Sequence, residues 1–259
     1  MIGGGAIGVA ARGAELAAIP ILFLHGVGSD KSVWAPQLAH FGERRPALAF
    51  DYPGYGESKL RPAASRDDFA AAMFEALDAL GIERAHICGL SLGGIVAIAM
   101  YHLAPYRCAS LILADSFAVH PEGEAIFTRS VDASRTMPMR ELAEARAPML
   151  LGADASTGLR AEIVETMAAI DPEAYRLGAA AVWLADQRTR AAAIEVPTLV
   201  LVGAEDRITP PALSGELANL IRGAQFEVIA GAGHLANFEQ AGVFNSAVDR
   251  FLAESESEV

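Results

Sequence analysis

The chain has 259 residues, of which 53% are hydrophobic and 20% are charged, and its formal net charge is −12. This length and composition fit one large α/β domain or two small ones and exclude a disordered chain. The two cysteines are too few for a disulfide framework, and 32 acidic against 20 basic residues leave no basic surface for a nucleic-acid backbone. The first 18 residues lack a charged start followed by an apolar segment, so we expect no export signal and a cytoplasmic protein.

Short apolar segments alternate with longer helical patterns over most of the chain. Six segments predict strands, at residues 19–24, 47–50, 86–88, 110–113, 198–202 and 225–229. Five patterns predict helices, at residues 31–41, 66–80, 92–103, 211–221 and 235–253. The strands are apolar without polar alternation, which is expected of a parallel sheet that helices cover on both faces.

The alternation stops between residues 117 and 190, where the pattern is mainly helical. Four helices are predicted there, at residues 123–130, 139–147, 156–169 and 172–185. This insertion is too long for an ordinary connection in a compact domain. We therefore predict a core domain formed by residues 1–116 and 191–259 and a helical cap formed by residues 117–190. The polar tail at 254–259 is expected to fray.

A serine stands in a glycine-rich turn between the third predicted strand and its helix, in the segment Gly89-Leu90-Ser91-Leu92-Gly93. This G-x-S-x-G pattern is typical of a nucleophile elbow, because small neighbours let the chain turn sharply and expose the hydroxyl. The uncharged residues 85–106 could span a bilayer by length. The turn within them indicates a buried strand and helix instead, so we expect no membrane. Ser91 alone would also fit a helix N-cap.

Two further residues complete the predicted catalytic set. Asp206 lies in the loop after the fifth predicted strand, and His234 lies in the glycine-rich loop after the sixth. A serine hydroxyl needs an imidazole to take its proton, and a carboxylate orients that imidazole. We predict Ser91 as nucleophile, His234 as base and Asp206 as orienting acid, with Glu205 as a solvated loop charge. Asp115, just after the fourth predicted strand, is the rival acid, although a polar residue that closes a strand explains it as well.

A developing oxyanion needs fixed hydrogen-bond donors. One predicted donor is the backbone N–H of Leu92, directly after the nucleophile. The other is the backbone N–H of Val27, in the loop after the first predicted strand. His25, which leads into that loop, is interpreted as a structural hydrogen-bonding residue.

Several segments together resemble the α/β-hydrolase fold superfamily across essentially the whole chain. They are His25-Gly26-Val27-Gly28, the segment from Asp51 to Ser58, the Ser91 turn, the Asp206 loop and Gly233-His234. Residues 231–240 and the short insertion are most similar to 3-oxoadipate enol-lactonase and related carboxylesterases. The resemblance implies a mostly parallel, doubly covered sheet with a helical cap inserted after the sixth strand, and neither a cofactor nor a metal.

The predicted enzyme is a serine hydrolase, an esterase or lactonase that cleaves a carboxylic ester or lactone through an acyl-enzyme. A serine at the elbow argues against haloalkane dehalogenases and epoxide hydrolases of this fold, which use an aspartate. One alternative is a carbon–carbon bond hydrolase that acts on a dienone or diketone acid with the same triad. Another is a ligand-sensing module that keeps the triad and turns over slowly.

Substrate contacts are expected from the cap and the neighbouring helix. The candidates to line an apolar pocket are Trp34, Phe127, Met137 and Trp183. Each also fits an ordinary core position at helical spacing. Arg129 and Arg135 are candidates to bind a substrate carboxylate, although arginines are more often solvated or paired with nearby acids. The expected partner is a small-molecule ester or lactone, and assembly into a homo-oligomer stays open.

Overall fold

The structure is a computed structural model that describes residues 1–2, 6–61 and 65–257. Its described strands form one seven-stranded sheet in the order β1-β3-β2-β4-β5-β6-β7. Their bounds are β1 Val9–Arg12, β2 Ile21–Leu24, β3 Ala47–Phe50, β4 Ala85–Leu90, β5 Cys108–Ala114, β6 Thr198–Gly203 and β7 Gln225–Ile229. Only β1 is antiparallel to its neighbour, and all other pairs are parallel. The carboxyl ends of β2 to β7 therefore meet at one edge, which is called the carboxyl edge below.

Helices cover both faces of the sheet. In chain order they are α1 Ala35–Phe41, α2 Arg66–Ala79, α3 Leu92–Leu103, α4 Gly123–Thr136, α5 Met139–Leu150, α6 Thr157–Ala168, α7 Pro172–Trp183, α8 Arg188–Ala192, α9 Pro211–Leu220, α10 Ala236–Glu239 and α11 Ala241–Ser257. Alternate strand residues point to opposite faces. Leu22 and Ile87 pack on the side of α2 and α3, whereas Phe23 and Cys88 pack on the side of α1 and α11.

The predicted fold class is confirmed, and all six predicted strands are present with ends that shift by at most two residues. Strand β1 escaped prediction because it is short and its residues are half-buried or exposed at the edge of the sheet. The helix predicted at 235–253 is divided into α10 and α11 at Gln240, which has non-helical backbone angles. Fraying of the tail is wrong as far as Ser257, since Glu256 bonds to Arg45 and holds α11 in place. Residues 258 and 259 lie outside the described residues.

Four helices, α4 to α7, lie between β5 and β6 and are called the cap helices below. Helix α4 packs on α7, and α5 packs on α6, while α7 also contacts α2 and α3. The prediction that the cap follows the sixth strand is wrong, because the cap helices follow the fifth strand, β5. Only one described strand, β1, precedes β2, and this sets the strand count. The domain boundaries at 116/117 and 190/191 stay a prediction. Among the described residues, no helix has both the length and the apolar character needed to cross a bilayer.

Candidate active site

The serine of the glycine-rich turn occupies a sharp corner at the carboxyl edge. Ser91 follows β4 directly and has φ 55° and ψ −113°, a left-handed conformation that a residue with a Cβ adopts at a cost. Its backbone N–H donates to the Ala114 carbonyl at 2.8 Å, and the Ser116 hydroxyl donates to the Ser91 carbonyl at 3.0 Å. A Cβ at Gly93 would overlap the Leu24 carbonyl, so only glycine allows this close approach. The neighbouring strand ends thus hold the strained turn.

The acid and the imidazole meet at the ends of β6 and β7. Asp206 Oδ2 lies 2.8 Å from His234 Nδ1 and also accepts from the Thr209 hydroxyl at 2.7 Å. Asp206 Oδ1 accepts from the backbone N–H groups of Ile208 and Thr209 at 2.8 and 2.9 Å. Burial opposes ionisation, but the charge of His234 and the hydrogen bonds from His234 and Thr209 hold the pKa of Asp206 below its ordinary value. A carboxylate bonded to Nδ1 leaves Nε2 as the ring nitrogen that can accept a proton.

The inner cavity is the space that the Ser91 turn and the His234 loop share with the cap helices. Ser91, His234 and Val27 line it, and its volume is about 40 Å³. Most other lining side chains are apolar, among them Leu150, Ile163, Trp183, Ile208, Leu235 and Phe238. Within the described chain, no hydrogen bond of 3.5 Å or less joins Ser91 Oγ to His234. A hydrogen bond between a nucleophile and its base often shortens only when a substrate binds.

Backbone donors adjoin the Ser91 turn on two sides. Leu92 is the first residue of α3, so its N–H has no partner within the helix. Val27 follows Gly26, where an added Cβ would lie 3.5 Å from the Ser91 Cβ, which places this loop against the serine. His25 supports the loop as predicted: its Nδ1 lies 2.8 Å from the Gly26 carbonyl, and the Tyr52 N–H donates to Nε2 at 3.3 Å. Burial lowers the pKa of His25, which keeps the ring neutral.

The rival acid, Asp115, is buried beside the pair but is not bonded to the imidazole. Its Oδ1 accepts from the Gly203 N–H at 2.8 Å, and its carbonyl lies 2.9 Å from the Thr209 hydroxyl. Burial and the negative charge of Asp206 raise the pKa of Asp115 well above its ordinary value. Asp115 also has a positive φ of 47°. The carboxylate that contacts His234 is therefore Asp206.

Of the four apolar candidates for the pocket, only Trp183 lines the inner cavity. Trp34 is fully buried and stacks on Phe23 at a centroid distance of 4.8 Å, in the layer between the sheet and α11, so its assignment to the pocket is corrected. Phe127 and Met137 are partly buried against the core and are corrected in the same way. Helical spacing identified their buried faces but could not tell whether those faces meet a core or a cavity.

An outer chamber of about 430 Å³ adjoins the inner cavity. Arg146, Trp183 and Ile208 line both spaces and form the wall between them. Arg129 and Arg207 also line the outer chamber, and for these three arginines the described part of the chain offers no carboxylate within 4 Å. Among the described lining residues Glu122 is the one carboxylate, so with the three arginines it leaves a net charge of +2. The companion candidate, Arg135, does not line this chamber.

Two carboxylates near the site escaped prediction in their actual roles. The prediction of Glu205 as a solvated loop charge misses its contact with residues 151–156 between α5 and α6: its Oε2 accepts from the Ala153 N–H at 2.8 Å. Glu239 accepts from the N–H groups of Gly152 and Gly233 at 2.7 and 2.8 Å. A signal for Glu239 existed, since it is the only formally charged residue between positions 228 and 248. Within the described ranges, no group of three or more His, Cys, Asp or Glu side chains is arranged to hold a metal ion.

Comparison with known proteins agrees with this architecture. The chain is 28% identical over 234 residues to 3-oxoadipate enol-lactonase 1 of Acinetobacter baylyi, which covers 90% of this chain and 88% of that protein. It is 32% identical over 266 residues to 2-hydroxymuconate semialdehyde hydrolase of Pseudomonas sp. strain CF600, covering 93% and 89% of the two chains. The crystal structure of the enol-lactonase from Burkholderia xenovorans LB400 superimposes with a TM-score of 0.91 at 29% identity, over 97% and 98% of the two chains. Residues 21–247 match the alpha/beta hydrolase family, and the chain belongs to that family.

Proposed function

We propose that the protein is a serine hydrolase that cleaves a carboxylic ester or a lactone through an acyl-enzyme. One observation carries this proposal: the strained Ser91 turn borders the same cavity at the carboxyl edge as His234, which is hydrogen-bonded to Asp206. A nucleophile, a base and an orienting acid in this relation are the requirements for acyl transfer to serine.

The reaction proceeds in two halves. Ser91 Oγ attacks the carbonyl carbon while His234 Nε2 takes the hydroxyl proton, and Asp206 stabilises the imidazolium that forms. The N–H groups of Val27 and Leu92 donate to the oxyanion of the tetrahedral intermediate. Collapse breaks the bond to the alcohol oxygen, which receives the proton from His234. Water then attacks the acyl-enzyme with the same base, and the carboxylic acid leaves. For a lactone, the alcohol stays attached to the acyl chain.

The surroundings of Ser91 support a small substrate with an apolar body. The inner cavity is mostly apolar, so an apolar substrate body would contact the cap side chains that line it, Trp183 among them. A substrate that extends past Trp183 and Ile208 reaches the outer chamber, where Arg129, Arg146 and Arg207 favour an anionic end. An ester or lactone that carries a carboxylate fits both spaces, and two relatives are named enol-lactonases.

A second candidate is hydrolysis of a carbon–carbon bond in a dienone or diketone acid. It is favoured by the 32% identity to a protein named 2-hydroxymuconate semialdehyde hydrolase. The same triad would serve, with a stabilised carbanion as the leaving group instead of an alcohol. Activity confined to vinylogous diketones would favour this reaction over ester cleavage. A single turnover with a persistent adduct would favour the other alternative, a ligand-sensing module.

The decisive experiment is a panel of short alkyl esters, aromatic esters, lactones and vinylogous diketones, run with wild type and with Ser91→Ala. We expect turnover of esters or lactones by wild type and a loss of at least about 10³-fold in Ser91→Ala, because the hydroxyl that forms the acyl-enzyme is gone. Ser110→Ala is the matched control, since this buried serine lies on β5 and bonds to His86. Equal activity of Ser91→Ala and wild type in clean preparations would contradict the proposal.

A further inference from the structure

The α5–α6 linker, residues 151–156, lies directly on the loop that carries His234. The backbone N–H of His234 donates to the carbonyl of Leu150, the last residue of α5, at 2.9 Å. A carbonyl at this end of a helix has no partner within the helix, so the bond satisfies both groups. The cap is thus hydrogen-bonded to the backbone of the residue assigned as the base.

The two backbones touch without an intervening side chain. A Cβ added to Gly233 would lie 2.6 Å from the Gly152 nitrogen and 2.9 Å from the Leu150 carbonyl oxygen, which is closer than atoms can approach. A Cβ at Gly152 would lie 3.3 Å from the Gly233 nitrogen. Because glycine occurs on both sides, the linker and the His234 loop pack as one body, and neither can shift far without the other.

One carboxylate joins the two segments. Glu239 Oε2 accepts from the Gly152 N–H at 2.7 Å, and Glu239 Oε1 accepts from the Gly233 N–H at 2.8 Å. Each oxygen therefore holds one side of the contact, and 87 residues of sequence separate Glu239 from Gly152. Nothing in the hydrolysis steps above uses Glu239, which belongs to α10.

The neighbouring acid loop is attached to the same linker. Glu205 Oε2 accepts from the Ala153 N–H at 2.8 Å, and the Glu205 N–H donates to the Ala232 carbonyl at 2.8 Å. Burial and the charge of Glu205 raise the pKa of Glu239, although backbone donors oppose this. Two carboxylates kept close together at partial burial cost stability. A contact that served only packing would not need two carboxylates. A contact that fixes the relative position of the linker and the His234 loop does need them.

We propose that Glu239 is a positioning residue that couples the cap to His234. Glu239 accepts from Gly152 and Gly233 and so holds the α5–α6 linker on the His234 loop. The position of the imidazole therefore depends on the position of α5 and α6. The α5–α6 linker is therefore a fixed part of the site. If the cap moves to admit substrate, the linker stays bonded to the His234 loop. This inference rests on the proposed function only where it names His234 as the base.

The test compares Glu239→Ala and Glu239→Gln with wild type by steady-state kinetics on one short uncharged ester. Alanine removes both acceptors, and glutamine keeps one acceptor while its amide group faces the other N–H. We expect kcat to fall about ten- to a hundredfold in Glu239→Ala and less in Glu239→Gln, with KM within about twofold, because a displaced base slows chemistry more than binding. Gln240→Ala is the matched control, since this neighbour donates to Gly231 of the same loop but not to the cap. It should match wild type.

Hydrogen exchange separates positioning from a general loss of stability. In Glu239→Ala, amide exchange should rise together in residues 150–154 and 231–236 and stay unchanged in α4 and α7. Faster exchange in the linker alone, with the His234 loop still protected, would overturn the coupling, as would kcat within twofold of wild type. If exchange rises throughout the chain, Glu239→Ala is destabilised as a whole, and the same two segments are then compared in Glu239→Gln. This readout needs no substrate, so it stands even if Ser91→Ala contradicts the proposed function.

Discussion

The loops at the carboxyl edge and the cap helices face the same cavity, yet they hold their side chains very differently. Ser91, Asp206 and His234 are at most 4% exposed, and backbone bonds from neighbouring strand ends restrain their loops. On the cap, Arg129 is exposed and Arg146 is half-buried. Exposed arginines keep much of their rotamer freedom. The edge is thus suited to chemistry that tolerates little displacement, and the cap is suited to selecting what enters.

The largest expected effect comes from breaking the edge at its acid. Asp206→Asn should lower kcat by about 10³- to 10⁴-fold, because an amide does not hold the imidazole in the required tautomer. Steady-state kinetics on a short ester measure the loss, and a circular dichroism spectrum checks the fold. If activity stays within tenfold of wild type, the orienting acid lies elsewhere, and Asp115 is the first residue to examine.

A smaller effect is expected where the cap presses on the edge. A Cβ on Gly178, in α7, would overlap the buried Tyr55 hydroxyl and lie 3.0 Å from Val27 Cγ2. Gly178→Ala should therefore displace the Val27 loop, lower kcat about tenfold and reduce the free energy of unfolding by about 1–3 kcal/mol. Urea unfolding and ester kinetics measure the two effects.

The matched control for that substitution lies in another cap helix. A Cβ on Gly158, in α6, would meet only the Ser156 hydroxyl at 3.9 Å. Gly158→Ala should leave kcat unchanged and stabilise the protein by roughly 0.5–1 kcal/mol, since alanine favours the helix. Equal kinetic losses in both variants would show that α7 has no special contact with the edge.

The edge was predictable because its signals are local. The segment Gly89-Leu90-Ser91-Leu92-Gly93 after a predicted strand indicates a sharp turn. Parallel strands bring their carboxyl ends together, so order along the chain placed Asp206 and His234 near the serine. Asp115 shows the limit of this reasoning. Like Asp206, it follows a strand at this edge, and only the fold shows that Asp206 bonds to the imidazole while Asp115 bonds to Gly203.

The positions of the cap helices in the sequence were predictable, but the faces that they turn toward the core or the cavity were not. Their spacing located four helices correctly, yet Phe127 and Met137 pack against the core. Trp34, which lies outside the cap helices, packs in the core on Phe23 instead of lining a pocket. The rotation of an amphipathic helix depends on which partner it meets, and that partner is distant in sequence. Glu239 illustrates the same point, because a residue bonded to Gly152 across 87 positions leaves no periodic trace.

Substrate charge tests the proposal that the cap selects the substrate. For an ester with a terminal carboxylate, Arg129→Gln should raise KM about fivefold, equivalent to ~1 kcal/mol, and leave kinetics on an uncharged ester of equal length unchanged. Arg135→Gln, on the same helix but outside the outer chamber, is the control and should change neither. Similar losses with both esters, or with both variants, would assign the effect to global charge or to folding.

The smallest kinetic effect is expected at the second buried carboxyl. Asp115→Asn should keep kcat within about threefold, since asparagine can still accept from the Gly203 N–H and tolerates the positive φ. Stability should respond instead. Burial and Asp206 raise the pKa of Asp115 above its value of about 3.9 in the unfolded chain. The neutral carboxyl therefore contributes stability that is complete below about pH 4 and is lost as pH rises toward the folded pKa.

Asparagine does not titrate, so the free energy of unfolding of Asp115→Asn relative to wild type should increase from pH 5 to pH 8. Urea unfolding at both pH values measures this difference. Asp186→Asn is the opposite case, because the bond from Arg188 lowers the pKa of Asp186 to about 2, and its effect should not change above pH 5. A pH-independent loss in Asp115→Asn would mean that Asp115 is ionised in the folded protein. Asp115 and Asp206 would then both be ionised beside the imidazole, and the loops at the carboxyl edge would have to stay folded despite the repulsion between these two charges.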